Sequence, residues 1–451
     1  MKRRSLLATS NSPRPALRRV GVSTAFVLLS AGASFVALGE APKPGIPPHG
    51  SDAELISHGK YVADAGDCAG CHTAPMGGKA FAGGLGLASP FGTIISSNIT
   101  PDPRFGIGRY SFRDFERAVR QGIAPGDKQL YPAMPYPSYT KMSDDDLRAL
   151  YAYMLRGVKP VAEPAPATKI PFPFNQRWIL RYWKGLFTSE GRYQRHSAHD
   201  AEWNRGAYLV QSLGHCGSCH TPRGVGFQEK GYDESSAAFL AGTVNDNWFA
   251  ANLTGEPTAG LGRVDNVEIV SFLKTGHGGG LVAFGSMVAQ VEDSTQYLND
   301  TDLKAIAVYL KTLVPQRPSG HYAPNGGSTT AGVSAGRIAD EQSLGAAVYT
   351  SFCAACHQAN GTGVPGRYPR LAGNPVVLGE DTTSLIRLMV EGGASPRTLT
   401  GPPREEMPDF AGKLSSLQIA QVLSYIRSSW GNDTRDVTAN DVVQLRNSLH
   451  K

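Results

Sequence analysis

The sequence predicts a mainly α-helical fold of three tandem domains joined by Pro/Gly-rich linkers, and three observations predict it. The pattern Cys-x-x-Cys-His occurs three times, as Cys68-Ala-Gly-Cys71-His72, Cys216-Gly-Ser-Cys219-His220 and Cys353-Ala-Ala-Cys356-His357. A helix-periodic segment leads into each copy, carrying Gly59-x-Tyr61, Gly206-x-Tyr208 or Gly345-x-x-x-Tyr349, and a glycine there lets two helices cross closely. A second capped helical segment closes each unit, opened by Ser143, Asn299 or Ser415 with apolar residues recurring at helical spacing. A length of 451 residues has room for about three domains of 150. The predicted domains are 50–157, 201–314 and 341–430, with linkers at 158–200 and 315–340 and a tail at 431–451.

The N-terminal 39 residues are of another kind. Lys2, Arg3, Arg4, Arg14, Arg18 and Arg19 account for the whole formal charge of +6, and the rest of the chain carries as many bases as acids. No basic surplus remains in the body to neutralise phosphates, which argues against a nucleic-acid partner. After the basic run comes Val20 to Gly39, uncharged and apolar. That order is the grammar of an export segment: either a signal peptide cleaved near Ala37-Leu38-Gly39 or a retained N-terminal membrane anchor. The body is expected on the periplasmic side of the cytoplasmic membrane, anchored or peripheral.

The six cysteines all fall in the three motifs, leaving none for a disulfide. Two thiols at this spacing can add to the two vinyl groups of one porphyrin, and the adjoining histidine then sits under the iron. Zinc sites pair two half-sites into one tetrahedral set, whereas these motifs lie roughly 140 residues apart. A redox Cys-x-x-Cys has no need of the histidine. Three covalently bound haem c groups are therefore expected, on Cys68 and Cys71, Cys216 and Cys219, and Cys353 and Cys356, with His72, His220 and His357 as axial iron ligands.

An electron-carrying haem keeps a sixth ligand, and methionine is the soft choice. Three of the eight methionines recur just before a closing helix: Met134, Met287 and Met407. Met142 competes with Met134 but begins the helix itself. Met154 and Met389 read as core filler, and Met76 lies too close to His72 to reach the opposite haem face. His215 reads as a packing or hydrogen-bonding residue. The first two units also share an element absent from the third: Asn98-Ile-Thr-Pro-Asp-Pro-Arg-Phe-Gly-Ile-Gly-Arg109 returns as Asn252-Leu-Thr-Gly-Glu-Pro-Thr-Ala-Gly-Leu-Gly-Arg263. It is either a turn that shapes the haem pocket or a source of propionate contacts from Arg109 and Arg263. Between the first two units, Phe172-Pro-Phe-Asn-Gln-Arg-Trp178-Ile-Leu-Arg-Tyr182-Trp-Lys-Gly-Leu-Phe187 mixes aromatic and basic residues, suited to packing between domains, a membrane interface or a partner.

Together with Trp203-Asn-Arg-Gly-Ala-Tyr-Leu-Val, Leu213-Gly-His-Cys-Gly-Ser-Cys-His-Thr-Pro-Arg223, Tyr131-Pro-Ala-Met-Pro-Tyr and Pro173-Phe-Asn-Gln-Arg-Trp, these motifs resemble the triheme cytochrome c subunits of bacterial membrane-associated alcohol, gluconate, sorbitol and related sugar or aldehyde dehydrogenases. The resemblance spans about residues 50 to 430. It implies three class I cytochrome c-like domains and a chain that is not itself catalytic. It also implies a catalytic dehydrogenase partner of flavin, quinone or molybdenum type, and ubiquinone or another respiratory acceptor. Met287 is followed by Val where the other two candidates have Pro, a departure that touches the second axial position. A self-contained multihaem oxidoreductase of peroxidase-like chemistry and a free-standing respiratory cytochrome are the alternative readings.

Overall fold

The computed structural model describes residues 51–324 and 337–449. The segment 1–39, expected as a signal peptide or a membrane anchor, lies outside the described residues. Among the described residues the regular structure is mainly helical, and the strands form only two-stranded antiparallel pairs.

Each repeat is built on one helix crossing. The leading helices are Asp52–Ala65, Ala201–Tyr208 and Arg337–Phe352, and the second continues as a π-helical turn over Leu209–Leu213. The closing helices are Asp144–Ala152, Asp300–Thr312 and Ser416–Arg427. Their predicted caps are present: the side chains of Ser143, Asn299 and Ser415 accept from the backbone N–H groups of Asp146, Asp302 and Gln418, satisfying donors that a helix start leaves orphaned. The glycines stand where the helices touch. A Cβ on Gly59 would lie 1.9 Å from the Ala149 carbonyl oxygen, one on Gly206 2.0 Å from that of Ala305, and one on Gly345 2.4 Å from that of Gln421. All three carbonyls sit six residues past the cap, so the crossing keeps one register in every repeat.

The repeats do not assemble alike. Val62, Leu147 and Met154 of the first and Tyr208, Leu213, Leu303 and Leu310 of the second belong to a single buried cluster. Tyr349, Ile386, Ile419 and Leu423 of the third form another. A reciprocal polar lock accompanies the shared core. Tyr61 donates to Asp302 Oδ2 at 2.6 Å, while Tyr208 donates to Asp146 Oδ2. The phenol oxygens accept in turn from the cap backbones, Ser143 N at 3.1 Å and Asn299 N at 3.3 Å. Arg205 clasps Asp302 through two bonds of 2.8 and 2.7 Å, and His58, at the matching position, meets Asp146 Oδ1 at 2.6 Å. Each residue has its counterpart across a pseudo-twofold relation. The third repeat has Ala347 in the tyrosine position and Gln418 in the aspartate position, where Gln418 turns back to complete its own capping box.

The starts of both connectors are bonded to the repeats they leave. Asn98 Nδ2 donates to the carbonyls of Val161 at 2.9 Å and Glu163 at 3.0 Å, and Asn252 Nδ2 to that of Gln316 at 2.7 Å. Thr100 and Thr254 hydroxyls accept from Val161 N and Gln316 N, both at 3.1 Å. The duplicated Asn-x-Thr element thus clamps the chain just beyond the first and second closing helices. In the stretch expected as a tail, the helix Ala439–Leu449 packs Val442 into the third core.

Candidate haem-attachment sites

The motifs lie on short helical turns, Cys68–His72, Gly217–His220 and Ala354–His357. All six cysteines are unpaired. Burial pushes the Cys71 and Cys216 thiols up to about 12 and Cys353 to about 11. They are therefore neutral, unlike the low-pKa thiolate of a redox pair.

The histidines share one setting. His72 Nδ1 lies 2.7 Å from the Ser97 carbonyl oxygen, His220 Nδ1 2.7 Å from that of Ala251, and His357 Nδ1 2.9 Å from that of Pro369. A carbonyl only accepts, so each Nδ1 carries the proton and each Nε2 keeps a lone pair for a metal. Burial holds all three rings below the usual imidazole pKa, in the neutral form a ligand needs. This carbonyl was invisible as a motif because every residue owns one. In the first two repeats a signal was nonetheless present, since the acceptor immediately precedes the duplicated Asn98 and Asn252.

The second and third sets open onto one continuous cavity of about 440 Å³. Cys216, Cys219, His220 and Met287 line it from one repeat, and Cys353, Cys356, His357 and Met407 from the other. Most of the remaining wall is apolar, including Leu253, Phe272, Leu388 and Leu423. Met134 is partly buried against the same cluster as Cys68. Met142 and Met154 are core residues, each 1% exposed, and Met76 is fully solvent-exposed.

The first motif meets the second through His215. Its ring stands edge-on to Tyr139, with centroids 5.6 Å apart, and faces the Gly66 carbonyl, to which Tyr139 donates at 2.6 Å. Gly66 lies two residues ahead of Cys68, and His215 is next to Cys216 and lines the cavity. Burial lowers His215 to about 4, so the ring is neutral at working pH. The two candidate propionate arginines are placed differently. Arg109 is exposed. Arg263 donates to the carbonyls of Thr258 at 3.1 Å and Gly373 at 2.8 Å and stacks on Tyr322, which ties the second repeat to the third.

Paired thiols, a histidine presenting Nε2 and, in the second and third sets, a methionine on a largely apolar wall fit covalent haem. Fold and site together define a c-type cytochrome with repeated haem motifs. Comparison with known proteins agrees: a family model for cytochrome c matches residues 56–157 and 342–430. The chain is 46% identical over 403 residues to the cytochrome c subunit of a quinone alcohol dehydrogenase from Gluconacetobacter polyoxogenes, covering 88% of this chain and 85% of the relative. It is 44% identical over 398 residues to the gluconate 2-dehydrogenase cytochrome c subunit of Pantoea cypripedii, covering 87% and 89%. With the fructose dehydrogenase cytochrome subunit of Gluconobacter japonicus it shares 38% over 441 residues, covering 93% and 87%. The chain belongs to the family of cytochrome c subunits of bacterial dehydrogenase complexes, and its cofactor is covalently bound haem c.

Proposed function

We propose that the chain is the electron-transfer subunit of a membrane-associated dehydrogenase complex and carries three haem c groups, one per motif. It takes electrons from a catalytic subunit of flavin, quinone or molybdenum type that oxidises an alcohol, aldehyde or sugar. It passes them to ubiquinone or another respiratory acceptor on the periplasmic side of the cytoplasmic membrane. The observation that carries this reading is the single setting of His72, His220 and His357, each with its Nδ1 proton held by a backbone carbonyl. The relatives' names, all subunits of complexes that oxidise alcohols, sugars or sugar acids, support the choice of partner.

When bound, haem c supplies a one-electron ferric/ferrous couple. The chain's residues do the rest. The cysteine pairs would tether the porphyrin, and the histidine tautomers fixed by backbone carbonyls would present Nε2 to the iron. Met134, Met287 and Met407 would supply the second protein ligand of each iron, and a soft thioether there would raise the potential. Apolar walls exclude water and so limit reorganisation on electron transfer. The cavity lined by both the second and third motifs and the His215–Tyr139–Gly66 contact between the first and second support a linear order with the second group in the middle. The outer two are then the entry and exit of the relay. Arg109 and Arg263 remain candidates for propionate contacts.

The test is to isolate the native complex, identify its catalytic subunit and follow haem reduction when that subunit's substrate is added. Substrate-driven reduction of all the haem supports the reading; a cytochrome that purifies without a dehydrogenase contradicts it. Within it, Met407→Ala should leave the third haem attached and lower only its potential, by a sizeable fraction of the roughly 0.8 V that axial ligands span. Unchanged potentiometry would reject that ligand.

A further inference from the structure

We propose that Glu229 is the proton-binding partner of the second haem: its buried carboxylate takes up a proton from water as that haem gains an electron, and returns it as the electron leaves. This rests on the electron-transfer reading above and adds a proton to it.

A short hairpin folded over the second attachment turn builds the site. Arg223 and Glu229 face each other as an antiparallel bridge, and Lys230 N donates to the Pro222 carbonyl at 2.9 Å. The fold-back lays Glu229, 7% exposed, against the residues between the two thiols. Ser218 Oγ donates to Glu229 Oε1 at 3.2 Å, and a Cβ on Gly217 would collide with Glu229 Oε2. The carboxyl thus occupies room that glycine leaves. The first and third turns have Ala69 and Ala354 in the place of Gly217, and Gly70 and Ala355 in the place of Ser218. Of the three turns, the second alone combines the room with the donor.

Few groups steady the charge of this carboxylate. Arg223 Nη1 stands 3.9 Å from Oε1, while its Nη2 donates to the Ser218 carbonyl. Lys141, just ahead of the first closing helix, commits Nζ to Gln211 Oε1 at 2.9 Å, the Tyr232 carbonyl at 2.8 Å and Asp233 Oδ2 at 3.1 Å. The Tyr232 phenol beside Glu229 is kept neutral by burial. From the turn itself, the Cys216 and Cys219 thiols feel the Glu229 charge. Burial pushes Glu229 up to about 7, outweighing Arg223, the Ser218 bond and Lys141. Haem c joined to Cys216 and Cys219 carries one more positive charge when ferric than when ferrous, so the ferric state favours the carboxylate and the ferrous state the acid. The coupling is reciprocal: if the electron tightens proton binding, the proton raises the affinity for the electron by the same factor. The potential is therefore flat at low pH, where Glu229 is protonated in both states. It falls as pH rises through the region of 7 and is flat again where Glu229 is ionised in both.

Spectroelectrochemical titration of the haem-loaded chain, over about two pH units either side of 7, is the test. One of the three Nernst components should fall with pH, and Glu229→Gln, neutral like the acid, should hold that component at its low-pH limit throughout. Asp67, buried beside the first turn, can give its own haem a slope, so the decisive reading is the slope lost on Glu229→Gln. Infrared difference spectra should show a protonated-carboxyl band gained on reduction and missing in that variant. If Glu229→Gln fails to load haem, Ser218→Ala serves, since the third turn has Ala355 there; losing its bond to the carboxylate should move the fall to higher pH. Slopes unchanged by Glu229→Gln, a fall unmoved by Ser218→Ala, or no carboxyl band on reduction would each overturn the proposal. Substrate-driven haem reduction in the native complex reports separately on the electron-transfer reading. If that reduction occurs while the slopes ignore Glu229→Gln, the proton coupling alone falls.

Discussion

Between the first and second repeats, Tyr61 and Tyr208 each cross to an aspartate on the other's closing helix, and their apolar side chains merge into one core. Between the second and third, the contacts are largely polar and reach backbone. Arg263 donates to the Gly373 carbonyl at 2.8 Å, Arg387 to that of Asp246 at 2.7 Å, and Phe249 N to Ser384 Oγ at 2.8 Å. Yet the close helix crossing and the histidine–carbonyl bond occur in all three repeats. The features that hold the cofactor are thus separable from those that join the repeats. Replacing the tyrosine by Ala347 and the aspartate by Gln418 removes the lock without touching the site.

The severest way to break this comparison is at the crossings. Gly206→Val pushes a side chain into the Ala305 carbonyl, and overpacking of that kind costs about 3 kcal/mol. Because the first two repeats share a core, both should lose their cooperative unfolding transition together in calorimetry, while Gly345→Val should unfold the third alone. Independent melting of the first repeat in Gly206→Val would contradict the fusion.

Next in size is the lock. Asp302→Ala strands Arg205 and Tyr61 against a buried site and should cost about 2 kcal/mol in urea unfolding. Gln418→Ala, at the same position of the third repeat, loses only a cap contact and should cost less than about 0.5 kcal/mol. Equal costs would mean that the reciprocal bonds contribute nothing.

Part of this was legible in the sequence. The capped closing helices, the glycines of the crossing and the three motifs are local signals, written in residue type and spacing. The lock was not: Tyr61 and Asp302 are joined only by folding, and a tyrosine on an apolar helical face reads as core. The seating of the helix Ile179–Phe187 was equally hidden, because it is set by carbonyls of Gly122 and Gly226 that no pattern marks. Nor did the repeat around Arg263 show that its guanidinium also reaches the Gly373 carbonyl of the third repeat.

The smallest predicted effect lies on the lock's pH dependence. The hydrogen bond to Asp146 raises the His58 pKa, against the opposing cost of burial. Its contribution is therefore complete below the imidazole's unfolded value and fades as pH rises through the raised folded one. Burial pulls Asp146 up, but bonds from His58 and Tyr208 win and leave it lowered, so its contribution fades as pH falls through that depressed value. The pair is strongest in between. His58 is half exposed, so His58→Gln should flatten the alkaline side by only about 0.5 kcal/mol. Arg205 offers no such titration in the mirror position, so Arg205→His should introduce one there.

The central claim is that one site design recurs three times in this chain. Electron paramagnetic resonance of the oxidised protein, read against its haem content per polypeptide, tests it most directly. Three haems per chain, all low-spin as histidine and methionine ligation requires, is the predicted result. Fewer than three, or a high-spin ferric signal marking an iron with an open sixth position, would contradict it.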